Sequence, residues 1–194
     1  MDSISLFPTP IWYKDIPIDT LPLIEFSYGC RYNDSLGREV SNNGGWHSDY
    51  FSGNVVKELK ELEKAILESA IICTREYGYG DVNLAITNLW ININEHGHSN
   101  SVHIHPSSFL SGVFYVMGTP GQGSIVFHRN QSDNFIIHSA GKIEVTNSYN
   151  ASSGSFEPIT GRLILFPSFV PHEVYANNLK EDRISISFNI IMDS

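Results

Sequence analysis

The spacing of apolar and polar positions changes once along the chain. Between about Gly53 and Tyr77, the residues Val55, Leu59, Leu62, Ile66 and Cys73 recur at spacings of 4, 3, 4 and 7, which lines them along one face of a helix. Lys57, Lys60, Glu61 and Lys64 fall off that face, and Gly78 and Gly80 stop the helix. Beyond Asp81 the helical period disappears. Short apolar or alternating runs occupy 82–94, 100–105, 109–117, 124–128, 134–138, 141–146, 162–166, 170–176 and 183–191. Turn residues separate them, as in Thr119-Pro120-Gly121, 147–154 and Ala176-Asn177-Asn178. Many short strands at this spacing predict a sandwich or barrel. One long amphipathic helix beside them predicts a brace on the outside of a sheet.

The first fifty residues carry weaker patterns. Residues 3–14 read as an arm or edge strand, because Pro8 and Pro10 cannot donate to a central ladder. Residues 20–33 fit a short helix. Residues 34–53 are rich in Gly, Ser, Asn and Asp and read as a long loop. No repeat, low-complexity tract or linker interrupts the chain, and 194 residues suit one domain. We divide it into an arm, loop and bracing helix over 1–80 and a strand-rich core over 81–194.

Charge narrows the partners. Lys and Arg number 12 against 21 Asp and Glu, a net charge of −9, which disfavours a phosphate backbone as partner. Cys30 and Cys73 form no CxxC pair and read as reduced thiols. The segment from Met1 to Pro10 lacks the basic and apolar regions of a signal peptide. No apolar run approaches the roughly 18 residues of a membrane span. The expected location is the cytoplasm. The oligomeric state is left open, a homodimer included.

The candidate chemistry lies in histidines. His103-Ile104-His105 puts two imidazoles on one face of a strand, with Val102 and Ile104 turned the other way. His172, on a later strand after the apolar run Leu163-Ile164-Leu165-Phe166, can supply a third ligand, and imidazole suits iron, zinc and copper. The strand from Arg183 places Arg183, Ser185, Ser187 and Asn189 on one face and Ile184, Ile186, Phe188 and Ile190 on the other. An arginine opening the polar face of a strand inside a barrel needs an anionic partner. His96 and His98 sit in a Gly-containing turn that reads as an exposed loop, the other readings being a substrate-facing lip or His98 as a substitute metal ligand. His47 reads as a loop residue, and Trp46 beside it as a lid over the site. His128 and His138 read as ordinary strand or turn histidines. No GxSxG, Walker loop or dinucleotide fingerprint occurs.

Between Trp90 and Asn189, stretches such as HIHPSSFLSGVFYV and GRLILFPSFVPHEV, followed by RISISFN, resemble the iron(II)/2-oxoglutarate oxygenase superfamily. The likeness is strongest to uncharacterised bacterial and phage members, which the opening Leu6-Phe7-Pro8-Thr9-Pro10 and Gly45-Trp46 also resemble. It implies a double-stranded β-helix (jelly-roll) and a cytoplasmic setting in a bacterium or phage-infected host. It implies iron(II) bound by His103 and His172, with His105 where the superfamily carries an aspartate. It implies 2-oxoglutarate held by Arg183 and Tyr115, with Asn92, Asn94 and Ser185 beside it. The implied reaction is hydroxylation of a small molecule or an amino-acid side chain, free or in a protein. The departure at His105 keeps a rival in view, a three-histidine iron dioxygenase that does not use 2-oxoglutarate and whose Arg183 binds the substrate's own carboxylate. A second rival is a non-enzymatic jelly-roll binding or virion accessory protein.

Overall fold

The alternation beyond Asp81 is realised as two antiparallel sheets. The computed structural model describes residues 6–51, 56–129 and 142–193. In chain order its elements are β1 (Trp12–Asp15), α1 (Leu21–Asn33), β2 (Asn42–Asn43), β3 (Trp46–His47), a 3-10 turn (Lys57–Leu59) leading into α2 (Lys60–Glu76), and β4 (Asn83–Asn94). There follow β5 (Ser99–His103), β6 (Leu110–Met117), β7 (Ile125–His128), β8 (Ser153–Phe156), β9 (Arg162–Pro167), β10 (His172–Val174) and β11 (Arg183–Asp193). The larger sheet has the order β1-β9-β6-β11-β4-β3 and the smaller β2-β5-β10-β7-β8. Neighbours in each are rarely consecutive in sequence, as expected of a double-stranded β-helix.

Two apolar clusters glue the layers. Leu59, Leu62, Ile66, Ala70 and Cys73 of the 3-10 turn and α2 are buried against Leu89, Ile91, Ile93, Ile184, Ile186, Phe188 and Ile190 of the large sheet. The predicted helix face is therefore the face that braces the sheet from outside. Each buried Leu or Ile there contributes roughly 1.5–3 kcal/mol. A smaller cluster of Val113, Tyr115, Ile125, Phe127, Ile164, Phe166 and Val170 joins the two sheets. Gly112 of β6 lies against the Phe188 ring and the Ile164 carbonyl oxygen, so any side chain there would force β6 away from its neighbours.

Several boundaries differ from the sequence pattern. The bracing helix starts at Lys57, while Val55 falls outside the described residues. Residues 34–51 are more than a loop: β2 pairs with β5 and β3 with β4. The expected strand over 134–138 lies outside the described residues, and 142–146 form no strand. β8 forms instead at Ser153–Phe156, inside a stretch read partly as turn, because β7 offers it a complete antiparallel register from Ile125↔Phe156 to His128↔Ser153. Among the described residues no helix is long and apolar enough to cross a membrane.

Candidate functional site

A cavity of about 250 Å³ opens between the sheets, lined from one side by β4, β6 and β11 and from the other by β5, β7 and β10. Its histidine end comes from the smaller sheet. β10 pairs with β5 so that His172 lies directly opposite His103. His105 lies beyond the end of β5, where its backbone N–H donates to the Ser168 carbonyl oxygen at 3.0 Å. The rings crowd together, with centroids 5.0 Å apart for His103 and His105, 4.4 Å for His103 and His172, and 5.1 Å for His105 and His172. One ring nitrogen from each lies within 4.8 Å of the others.

The chemistry of this donor set fits a divalent metal. Nδ1 of His103 is 2.7 Å from the Ser101 carbonyl oxygen, and Nδ1 of His172 is 2.9 Å from that of Val170. A carbonyl oxygen only accepts, so both Nδ1 atoms carry the proton and both Nε2 atoms keep a lone pair. Burial pushes all three rings away from protonation, His172 down to about 3 and His105 down to about 4, with His103 also lowered. Neutral imidazoles, two of them with the tautomer fixed, are what a metal needs, and the three ring nitrogens already lie within 4.8 Å of one another.

The opposite end belongs to the larger sheet. Arg183, Ser185, Ser187 and Asn189 all line the cavity, while Ile184, Ile186, Phe188 and Ile190 are fully buried on the other face, as the alternation of β11 predicts. Arg183 is 1% exposed, yet no carboxylate pairs with it among the described residues. Its Nη1 donates to the carbonyl oxygens of Gln122 at 2.5 Å, Gly123 at 2.8 Å and Tyr175 at 3.4 Å. Nε and Nη2 have no acceptor among the described residues, nor do the hydroxyls of Tyr115 and Ser185, which share the cavity. A buried cation with spare donors and hydroxyls beside it fits a carboxylate. Burial raises the Tyr115 hydroxyl to about 12, so it is a donor at neutral pH.

The asparagines play different parts. Asn92 donates through Nδ2 to Ser187 Oγ at 3.2 Å and so ties β4 to β11. Asn94 stands opposite Arg183, and its Oδ1, an acceptor sealed from the cavity and from solvent, also lacks a partner among the described residues. Only a group with an N–H or O–H can relieve that deficit, which a carboxylate beside Arg183 does not supply.

Two expected residues lie elsewhere. Trp46 is 5% exposed and packs in the helix-facing core, with Nε1 donating to the Asp34 carbonyl oxygen at 2.6 Å, so it does not line the cavity and cannot act as its lid. Two-residue alternation on β3 is the reason: Trp46 points to the core and His47 to the cavity. His98 accepts a hydrogen bond from the Glu95 N–H at 3.1 Å and rests against Gly44, also outside the cavity lining. In their place the structure supplies His47 and Tyr50, with Val40 and Ser41 further along the wall.

Comparison with known proteins follows the same residues. Residues 88–189 match the family described as "Putative 2OG-Fe(II) oxygenase". No curated protein matches the chain at a significant level. Among solved structures, a Pseudomonas putida prolyl-4-hydroxylase superposes with a TM-score of 0.65 at 14% identity, covering 96% of this chain and 94% of that one. A viral collagen prolyl hydroxylase from Paramecium Bursaria Chlorella virus-1, solved as its 2OG complex, gives 0.59 at 9% identity over 93% and 94%. HygX from Streptomyces hygroscopicus, solved with nickel, 2-oxoglutarate and hygromycin B, gives 0.59 at 8% identity over 94% and 82%. At these identities the likeness is one of fold.

Proposed function

The chain belongs to the 2OG-Fe(II) oxygenase family, and from that premise we propose that it is an iron(II)- and 2-oxoglutarate-dependent oxygenase that hydroxylates a small molecule or an amino-acid side chain. The observation that carries this reading is one cavity with two chemically opposite ends: three neutral imidazoles at one, a buried guanidinium with spare donors at the other. His103, His105 and His172 would hold the metal. Arg183, helped by Tyr115 and Ser185, would hold the far carboxylate of 2-oxoglutarate. When bound, iron(II) and 2-oxoglutarate supply dioxygen activation, with one oxygen atom going to the substrate C–H bond and the other to succinate as carbon dioxide leaves.

The protein's share of the work is placement and exclusion of water. The carbonyl oxygens of Ser101 and Val170 keep the proton on Nδ1 of His103 and His172, so each Nε2 stays aimed at the metal position. Gln122, Gly123 and Tyr175 hold Nη1 of Arg183 through their carbonyl oxygens, which leaves the rest of the guanidinium in register for a carboxylate. Phe166 packs on His172 with centroids 4.6 Å apart, and the apolar cluster behind it keeps that side dry. Replacing the family's aspartate by His105 leaves the metal's charge uncompensated by the protein, and a dianionic co-substrate offsets it.

Anaerobic protein titrated with iron(II) and then 2-oxoglutarate tests this directly. A visible charge-transfer band that saturates with 2-oxoglutarate is expected. Iron binding without the band would shift the reading to a three-histidine dioxygenase, and no stoichiometric iron binding would remove the metal centre altogether.

A further inference from the structure

A fourth imidazole faces the same cavity. His47 is 3% exposed and lines the cavity wall. Its Nδ1 lies 2.6 Å from the Ser48 carbonyl oxygen, so Nδ1 carries a proton and donates it. Burial disfavours a second proton. Nε2 is therefore an acceptor, and among the described residues nothing donates to it.

The ring is held on every side. It stacks on Trp90 at 5.7 Å with an interplanar angle of 10°, and the Tyr50 ring stands edge-on to both, at 5.9 Å from His47 and 5.7 Å from Trp90. The Arg38 guanidinium covers Tyr50 at 4.5 Å and pairs with Asp49 at 2.6 Å. Below, His47 pairs with Asn92 of β4, and the Ser48 N–H donates to the Ile91 carbonyl oxygen at 2.9 Å. A neutral imidazole held this firmly in the cavity lining is a recognition element, because its Nε2 is left free to accept from a donor bound there. Trp90 also touches His105, at 5.7 Å, which ties this wall to the histidine end.

The lining sets the charge of the ligand. Among the described lining residues no carboxylate occurs, so a cationic group would lack a counter-charge, and Arg183 is the one permanently charged side chain. We propose that His47 is a specificity-determining residue that accepts, through Nε2, a hydrogen bond from an uncharged N–H or O–H group of the primary substrate, laid along Trp90. This inference rests on the oxygenase reading of the cavity. It narrows the substrate class to neutral hydrogen-bond donors such as secondary amides and alcohols.

The test uses ¹⁵N-labelled full-length protein with zinc in place of iron and with 2-oxoglutarate, observed by long-range ¹H–¹⁵N correlation of the histidine rings. The probes are N-methylacetamide, which has an N–H, and N,N-dimethylacetamide, which has none. The Nδ1–H tautomer is expected for His47, with a saturable Nε2 shift for the first probe and none for the second. His47→Phe should weaken N-methylacetamide binding, followed at the Trp90 indole, by about three-fold or more, and His47→Gln, which can place an oxygen near the Nε2 position, should restore it. The opposite tautomer, equal responses to both amides, no response to either, or unchanged binding in His47→Phe would each overturn the proposal. The same spectra test the oxygenase reading separately: if His103, His105 and His172 do not respond to zinc, that reading fails whatever His47 does.

Discussion

The two ends of the cavity are built by different means. The arginine end sits on β11, an eleven-residue strand paired with both β4 and β6, and Nη1 of Arg183 is already tied by three carbonyl oxygens. The histidine end sits on β5 and β10, five and three residues long, and His105 lies past the end of its strand. His103 and His105 are half-buried where Arg183 is wholly so. The fold itself thus organises the arginine end, whereas the histidine end gathers three lone pairs on light supports and would gain most from a cation among them. Loss or gain of a ligand should therefore be felt differently at the two ends.

The largest effect is expected from removing an imidazole. His172→Ala should cost iron affinity about 3–5 kcal/mol, taking one ligand as roughly a third of a typical structural-metal binding energy, which is more than a hundred-fold. Anaerobic iron titration reads this, and a loss under ten-fold would mean His172 is not a ligand. Next comes the metal itself. Loading the wild type at a hundred times Kd should add about 2.7 kcal/mol, which raises Tm by roughly 5–10 °C for a chain of this size. Calorimetry with and without iron checks it, and no rise would contradict a lightly supported histidine end.

At the arginine end, Arg183→Lys should weaken 2-oxoglutarate binding by about 1.5–3 kcal/mol with iron affinity nearly unchanged, because lysine cannot offer the parallel donors of a guanidinium. Titration of 2-oxoglutarate into both iron-loaded proteins measures the difference, and equal affinity would take Arg183 out of the co-substrate site.

The smallest effect is that of pH on the metal-free protein. The folded-state values of His172 and His105 are depressed, to about 3 and about 4, from an ordinary value near 6.5. Above the ordinary value both folded and unfolded chains are neutral and stability is complete. As pH falls from about 6.5 toward 4, the unfolded chain takes up protons that the folded one refuses, and stability drops. Between pH 7 and 6 the buried His172 should account for about 1 kcal/mol or less. Denaturant midpoints across this range should fall more steeply for wild type than for His172→Ala, and equal slopes would show that His172 is not held neutral.

The arginine end was more legible in the sequence than the wall beside it. Strict alternation from Arg183 to Ile190 assigns each of these residues to core or cavity, because period two is a local property. His103-x-His105 carries the same signal, although the strand ends between its two members. His47 and Tyr50 were not legible as site residues. β2 and β3 are two residues long, and what makes them strands is pairing with β5 and β4, far along the chain, which no local period encodes. The adjacent Trp46 and His47 needed only a choice of face, and the large apolar ring took the core. His98 was misleading for another reason: its nearness in sequence to His103 places it in the turn before β5, where its ring caps the Glu95 N–H instead of reaching the cavity.

The position of Trp90 gives the protein an optical property. The chain has three tryptophans. Trp12 bonds to Glu76 through Nε1, and Trp46 lies in the core beneath the helices. Trp90 touches His105 on one side and His47 on another. An open-shell ion held at the imidazoles would quench Trp90 through its contact with His105. The near-ultraviolet emission of the unlabelled protein thus carries a built-in gauge, because one of its three emitters stands against the histidines and follows the occupancy of the cavity.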